Sequence, residues 1–166
     1  MSDDVHIRKI RPDDAPQVKS LIDAIFDSEF ASERKAYACF DLNDPVRYYS
    51  GKKDIFLVAE KDGKIVGTVA IKEDSPDTAL LRRVFVHKEF RGLGYGEKLL
   101  KKALEFCFEH DYHTVNFRGT DTMQGALKLC VKEGFQEQDV NAMPDFKMFV
   151  LTKKLKPPPA PPSKPG

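Results

Sequence analysis

The stretch from residue 84 to residue 100 constrains this chain more than any other. An apolar run, Val84-Phe85-Val86, leads through Arg91-Gly92-Leu93-Gly94-Tyr95-Gly96 into an amphipathic segment with Leu99, Leu100, Ala103, Leu104 and Cys107 on one face. The first run has strand character and the second has helical spacing, which predicts a strand, a glycine-rich turn and a long helix ending near His110. Glycine at 92, 94 and 96 removes side chains where the backbone must turn tightly and come close to something else. The helix that follows aims its unpaired N–H groups and positive dipole end into that turn. Such a place suits a phosphate or another anion.

On either side of this turn the pattern is readable. Val5 to Arg11 alternates as a first strand, and Pro12 ends it. Asp13 or Asp14 can cap a helix running to about Ser28, with Ala15, Val18, Leu21, Ile22, Ile25 and Phe26 at helical spacing. Residues 27–53 set Phe30, Tyr37, Phe40, Tyr48 and Tyr49 among charges of both signs, with Pro45 interrupting. One or two short helices joined by loops fit this segment.

From Asp54 the period changes. Ile55 to Ala59 is a continuous apolar run, Asp62-Gly63 is a hairpin signal, and Ile65 to Ile71 supplies the return strand. After a turn at residues 73–77, Thr78 to Val86 is a third strand, so the three form an antiparallel meander. Beyond the long helix, Val115 and Phe117 mark a strand. Residues 121–133 read as a helix with Met123, Ala126, Leu127, Cys130 and Val131 inward, and Gly134 follows as its stop. Two closing strands, 135–140 and 146–155, complete the domain. The last ten residues hold six of the eleven prolines and read as an extended tail. The expected organisation is one domain over 1–155 and a proline-rich tail over 156–166.

Composition narrows the function classes. The chain has 166 residues, 41% hydrophobic and 32% charged, which suits one globular domain with a sizeable core. A formal net charge of +1 gives no electrostatic argument for nucleic acid. No apolar run has the length of a membrane span, and the acidic start Met-Ser-Asp-Asp is unlike a signal peptide. Three widely spaced cysteines, Cys39, Cys107 and Cys130, read as reduced thiols of a cytoplasmic protein. The four histidines show no ligand spacing with them, so no metal site is expected.

Two nucleotide motifs fail at the turn. A dinucleotide fingerprint counted from Gly92 meets Glu97 at its third glycine position, and from Gly94 it meets Leu99. No Gly-Lys-Ser/Thr follows for a P-loop. What remains is Arg91-x-x-Gly94-x-Gly96 between a strand and a helix. In that setting it resembles the acyl-CoA-binding motif of the GNAT superfamily of acetyl-CoA-dependent N-acetyltransferases, Gln/Arg-x-x-Gly-x-Gly/Ala. The downstream Ala126-Leu127-Lys128-Leu129-Cys130-Val131-Lys132-Glu133-Gly134-Phe135 resembles a second motif of that family, at a typical distance.

The resemblance implies an α+β fold of α/β/α layers. Its mixed, mostly antiparallel sheet would have six to seven strands, with a V-shaped splay between the strand ending at Val86 and the one around Val115. It implies that the backbone from Arg91 through Gly92, Leu93, Gly94 and Tyr95 to Gly96 holds the pyrophosphate of acetyl-CoA. The edge at Val84, Phe85 and Val86 would pair with the pantetheine arm. The implied reaction is direct attack by a primary amine on the thioester, with a small molecule or peptide as acceptor and a homodimer as one state of the fold.

The chain also departs from the family. Cys130 stands where a tyrosine often serves as general acid, and Met123 replaces a frequent asparagine. No acid occupies Thr78 to Arg83, where many relatives carry a glutamate. Glu29, Glu33, Asp41, Glu73 and His87 are candidate bases by region only. These departures keep open a CoA-binding module without turnover, and the tail keeps open a scaffold role.

Overall fold

The computed structural model describes residues 5–36 and 40–155. The expectations that fall on the first four residues, on Tyr37 and Cys39, and on the proline-rich tail lie outside the described residues.

Seven strands form one sheet in the order β1-β2-β3-β4-β5-β7-β6. They are β1 (His6–Lys9), β2 (Ile55–Lys61), β3 (Lys64–Ser75), β4 (Thr78–Val86), β5 (Thr114–Thr120), β6 (Gln136–Ala142) and β7 (Lys147–Lys154). Every pairing is antiparallel except β4 with β5. The meander of β2, β3 and β4 follows from the short connections that the sequence provides. Asp62 and Gly63 both take positive φ, +50° and +79°, and so form the two-residue turn whose twist matches a hairpin. Phe56, Leu57, Val58 and Ala59 are all buried, as a strand covered on both faces requires.

Helices cover the two faces. On one side α1 (Ala15–Glu29) packs Val18, Ile22 and Phe26 against Phe56, Val58 and Ala70. On the other, α3 (Tyr95–Glu109) packs Leu99, Leu100, Ala103 and Cys107 against Leu57, Val69, Leu81 and Val115. This is the α/β/α layering expected from the sequence. Between α1 and β2 the described residues make two 3-10 turns, Ala31–Ala36 and Phe40–Asn43, and one short helix, α2 (Pro45–Tyr48). None of the described helices is long and apolar enough to cross a membrane.

The structure corrects three local expectations. Helix α1 starts at Ala15, after a 3-10 turn at Pro12–Asp14. Asp14 stands at the N-cap of α1, as expected, but its carboxylate accepts from the Arg11 N–H and the Arg8 guanidinium and makes no capping hydrogen bond to the helix. Helix α4 is shorter than 121–133, spanning Gln124–Lys132, because Thr120 to Met123 closes a turn first, with Met123 N–H donating to the Thr120 carbonyl. Val131 is 58% exposed. It falls one residue past Cys130 on a helix that buries only a narrow stripe against β5, so the wider apolar face read from the sequence is not covered. Strand β6 is exposed along its length, at the edge beyond β7.

Two features of β4 shape the middle of the sheet. First, its parallel ladder with β5 joins only Thr78–Leu81 to Thr114–Phe117. Beyond that the strands part, to Val86 and to Thr120, and a V-shaped splay opens between them. Second, Thr68 pairs with Phe85 and Ala70 with Arg82, so Arg83 and Val84 together oppose Val69. This is a β-bulge. Arg83 takes φ +57°, a conformation costly for a side chain with a Cβ.

A buried ion pair holds the bulge in place. Arg83 donates to both Asp41 oxygens, at 3.0 and 2.6 Å, and the Tyr49 hydroxyl donates to Asp41 at 2.7 Å. The Thr68 hydroxyl donates to the Arg83 carbonyl at 2.7 Å. Burial alone would push the Asp41 carboxyl up, but the Arg83 contacts and the Tyr49 hydroxyl outweigh it and hold it below the ordinary carboxylate range. A depressed folded-state value means that this stabilisation is present above the unfolded pKa and is lost as pH falls below it. Asp41→Asn should therefore cost about 3–5 kcal/mol at neutral pH by leaving the guanidinium buried without its carboxylate. In thermal melts that is a loss of roughly 6–20 °C, and the gap from the unsubstituted protein should narrow below about pH 4.

Candidate active site

The splay and the glycine turn meet in one cleft of about 1150 Å³. Its walls are the diverging ends of β4 and β5, the turn before α3, and the start of α4. The ladder between β4 and β5 ends at Leu81 and Phe117, so the β5-facing backbone of Val84-Phe85-Val86 has no strand beside it. Val84, Phe85, Val86, Arg91, Gly92, Gly94, Tyr95 and Gly96 all line this cleft. Leu93 stands 55% exposed at the outside of the turn.

The turn is shaped by backbone conformation. Gly92 and Gly94 have φ +80° and +83°, where a Cβ brings strain, and Gly94 is the N-cap of α3. Gly96 serves packing instead. A Cβ there would stand 3.2 Å from Leu129 of α4 and 3.5 Å from Val86. The three glycines thus do two jobs, two setting the turn and one letting α3 approach its neighbours. The first N–H groups of α3 point into the turn without intrahelical partners.

Arg91 bridges the turn to α1 and β4. Its Nη1 and Nη2 donate to Glu29 of α1 at 2.5 and 2.7 Å, and its Nε donates to the Val86 carbonyl at 3.0 Å. The Arg91 hydrogen bonds lower the Glu29 carboxyl and its partner raises the guanidinium in turn. The pair is partly exposed, so it is worth little to stability.

The structure separates the five candidate bases. Glu29 is held by Arg91, and Asp41 is locked between Arg83 and Tyr49. Glu73 is exposed on β3, and its N–H donates to Asp54. The His87 Nδ1 accepts from the Glu89 N–H in the approach to the turn. Glu33 is 1% exposed; its Oε1 accepts from the Thr122 hydroxyl at 2.6 Å, and among the described residues its Oε2 has no hydrogen-bond partner. Thr122 itself lines the cleft, so Glu33 lies one hydroxyl behind the wall.

Cys130 lies in the core between α4 and the sheet, fully buried and outside the cleft lining. Burial pushes its thiol up to about 12. Met123, the N-cap of α4, is buried against the α1 side and also lines the cleft.

The cleft lining also holds residues that no local sequence signal places there, among them Arg82, Arg83 and Arg118. Arg82 and Arg83 are conspicuous as consecutive charges in an apolar strand, but the bulge that decides their directions depends on Asp41, far away in sequence.

The acetyltransferase (GNAT) family profile matches residues 17–135. A Xenopus tropicalis protein described as a probable N-acetyltransferase, camello, is 31% identical over 101 residues, covering 60% of this chain and 46% of its own length. Human N-acetylaspartate synthetase is 37% identical over 98 residues, 58% of this chain and 32% of its own. This chain therefore spans less than half the length of either curated relative. A Salmonella typhimurium protein solved with its cofactor acetyl-CoA shares the fold, with a TM-score of 0.78 at 16% identity over 96% of this chain and 98% of that one. The matched segment runs from the body of α1 to the end of α4 and contains the glycine turn, and the chain belongs to the acetyltransferase (GNAT) family.

Proposed function

We propose that the protein is an N-acetyltransferase that moves the acetyl group of acetyl-CoA to a primary amine by direct attack within a ternary complex. The observation that carries this reading is a splay between β4 and β5 that runs into a left-handed glycine turn at the N-terminus of α3, in a member of this family. Gly92 and Gly94 have open space where a Cβ would stand, so the turn can admit a bulky anion. In this proposal the N–H groups from Gly92 to Gly96 hold the pyrophosphate, with the helix dipole behind them. The edge of Val84-Phe85-Val86 pairs with the pantetheine arm. Arg91 adds charge at the same end, with Glu29 as its partner when no phosphate is present.

The chemistry then needs three events. The ammonium loses a proton, its nitrogen attacks the thioester carbon, and the C–S bond breaks with the electron pair leaving on sulfur as the nitrogen gives a second proton to solvent. A strand N–H near Val86 stabilises the oxygen that becomes negative in between. The thiolate is released as free CoA after taking a proton from the medium. Glu29 and Asp41 are committed to arginines, so the proposal gives the amine proton to solvent in the cleft. The buried thiols of Cys107 and Cys130 suit a reducing, cytoplasmic compartment, and pairing of two copies would use the exposed edge strand β6.

Three outcomes are expected. Gly94→Val should abolish CoA release and weaken acetyl-CoA binding, measured by thiol assay and calorimetry, while the melting temperature shows that the fold survives. Cys130→Ala should lower thermal stability without changing the shape of the pH–rate profile, because the thiol sits in the core; a lost basic limb would restore it as general acid. With solvent as proton acceptor, log kcat/KM should rise with unit slope to the pKa of each amine tested, about 10.4 for a lysine-type amine. A second break at one pH for every acceptor would reveal an enzymic base, with Glu33→Gln the first variant to make.

A further inference from the structure

We infer that the acceptor is a small amine that also carries a carboxylate, and that Arg82 is the residue that receives it. This deepens the N-acetyltransferase reading and rests on it.

In a regular strand Arg82 and Arg83 would point to opposite faces. With Arg83 left-handed, both turn to the face covered by residues 40–49. Arg83 reaches Asp41, Arg82 reaches Tyr48, and Phe85 then meets Phe26 of α1 at 5.5 Å. Val84 and Val86 stay on the α3 side. The fold has thereby spent one arginine on structure and left the next at the cleft wall.

Arg82 differs from its neighbour in how it is matched. Its Nη1 donates to the Tyr48 hydroxyl at a long 3.4 Å, and its guanidinium lies 5.8 Å from the centre of the Tyr48 ring. Among the described residues no carboxylate pairs with it, although it is only partly exposed. Its charge is felt as far as Asp41 and Tyr49. A half-buried guanidinium facing a cleft, with no carboxylate hydrogen-bonded to it among the described residues, is a ready receptor for a carboxylate, which it can take with two parallel hydrogen bonds.

The opposite wall carries the same sign. On β5, Val115 and Phe117 face the α3 core, so Arg118 alternates to the face of Arg82, and it too lines the cleft. Two of the acids in the lining are already matched, Glu29 by Arg91 and Glu97 by Lys101 and Lys132. Asp74, on exposed backbone at the end of β3, is the third. The charged side chains that β4 and β5 contribute to the cleft lining are therefore all arginines, which opposes a polyamine and favours an anion.

Spacing sets the size. Arg82 lies two residues before Val84, about 6–7 Å along a strand at most. A carboxylate on Arg82 leaves its amine beside Val84–Val86 only when few bonds separate the two groups, as in a free amino acid.

The test is CoA release with amino acids, their matched carboxamides and the corresponding carboxylate-free amines. The carboxylates should exceed their carboxamides at least tenfold in kcat/KM. Arg82→Gln should bring that ratio close to one, chiefly through KM, and Arg82→Lys should recover part of it. Arg118→Gln gives a second, weaker drop in the ratio. Equal rates for carboxylates and carboxamides, or a ratio that Arg82→Gln leaves unchanged in a folded protein, would overturn the inference and leave N-acetyl transfer standing. Acetyl-CoA binding with no release on any amine would overturn both.

Discussion

The buried pair of Arg83 with Asp41 is the contact on which the rest of the site depends. A guanidinium and a carboxylate taken out of water are costly unless they meet with good geometry and with their remaining hydrogen-bonding capacity satisfied. Here two direct hydrogen bonds and the Tyr49 hydroxyl meet that demand. The pair ties the segment between α1 and β2 to the middle of β4. It also stabilises a left-handed residue inside a strand, which the backbone alone disfavours. The bulge then sorts the residues around it, with aliphatic side chains toward α3 and the arginines toward the face covered by residues 40–49.

The divergence of β4 from β5 is the second constraint, and it works together with the first. A parallel pair that stayed in register to Val86 would spend the strand edge on neighbouring backbone and leave no cleft. Because the ladder stops at Leu81 and Phe117, the edge is released just before the chain enters the glycine turn. One stretch of backbone thus offers a strand edge and a helix N-terminus in succession, suited to an extended arm and to an anion at its end. Arg91 links the two, bound through Nε to the Val86 carbonyl and through its other nitrogens to Glu29.

Much of this was legible in the sequence, and for physical reasons. The hairpin at Asp62-Gly63, the apolar run of β2 and the strand–turn–helix around Gly94 are written in local chemistry, where a few neighbouring residues settle the conformation. The glycine-turn side of the cleft follows from such signals. The arginine-lined side does not. Arg82 and Arg83 look equivalent in the sequence, and only a contact to Asp41 across 42 positions makes one structural and leaves the other at the cleft. The same holds for Val131, which completes an apolar stripe in sequence but stays largely exposed among the described residues. It holds also for Glu33, whose link to Thr122 joins parts of the chain 89 residues apart.

The most direct test of this account is a crystal structure of the protein with acetyl-CoA. The account predicts the pyrophosphate against the backbone N–H groups of Gly92 to Gly96, with Arg91 released from Glu29 toward it. The pantetheine arm should lie along Val84-Phe85-Val86, and the thioester should open toward Arg82 and Arg118. A cofactor bound elsewhere, or β4 and β5 zipped together beyond Leu81 with the turn unused, would contradict it.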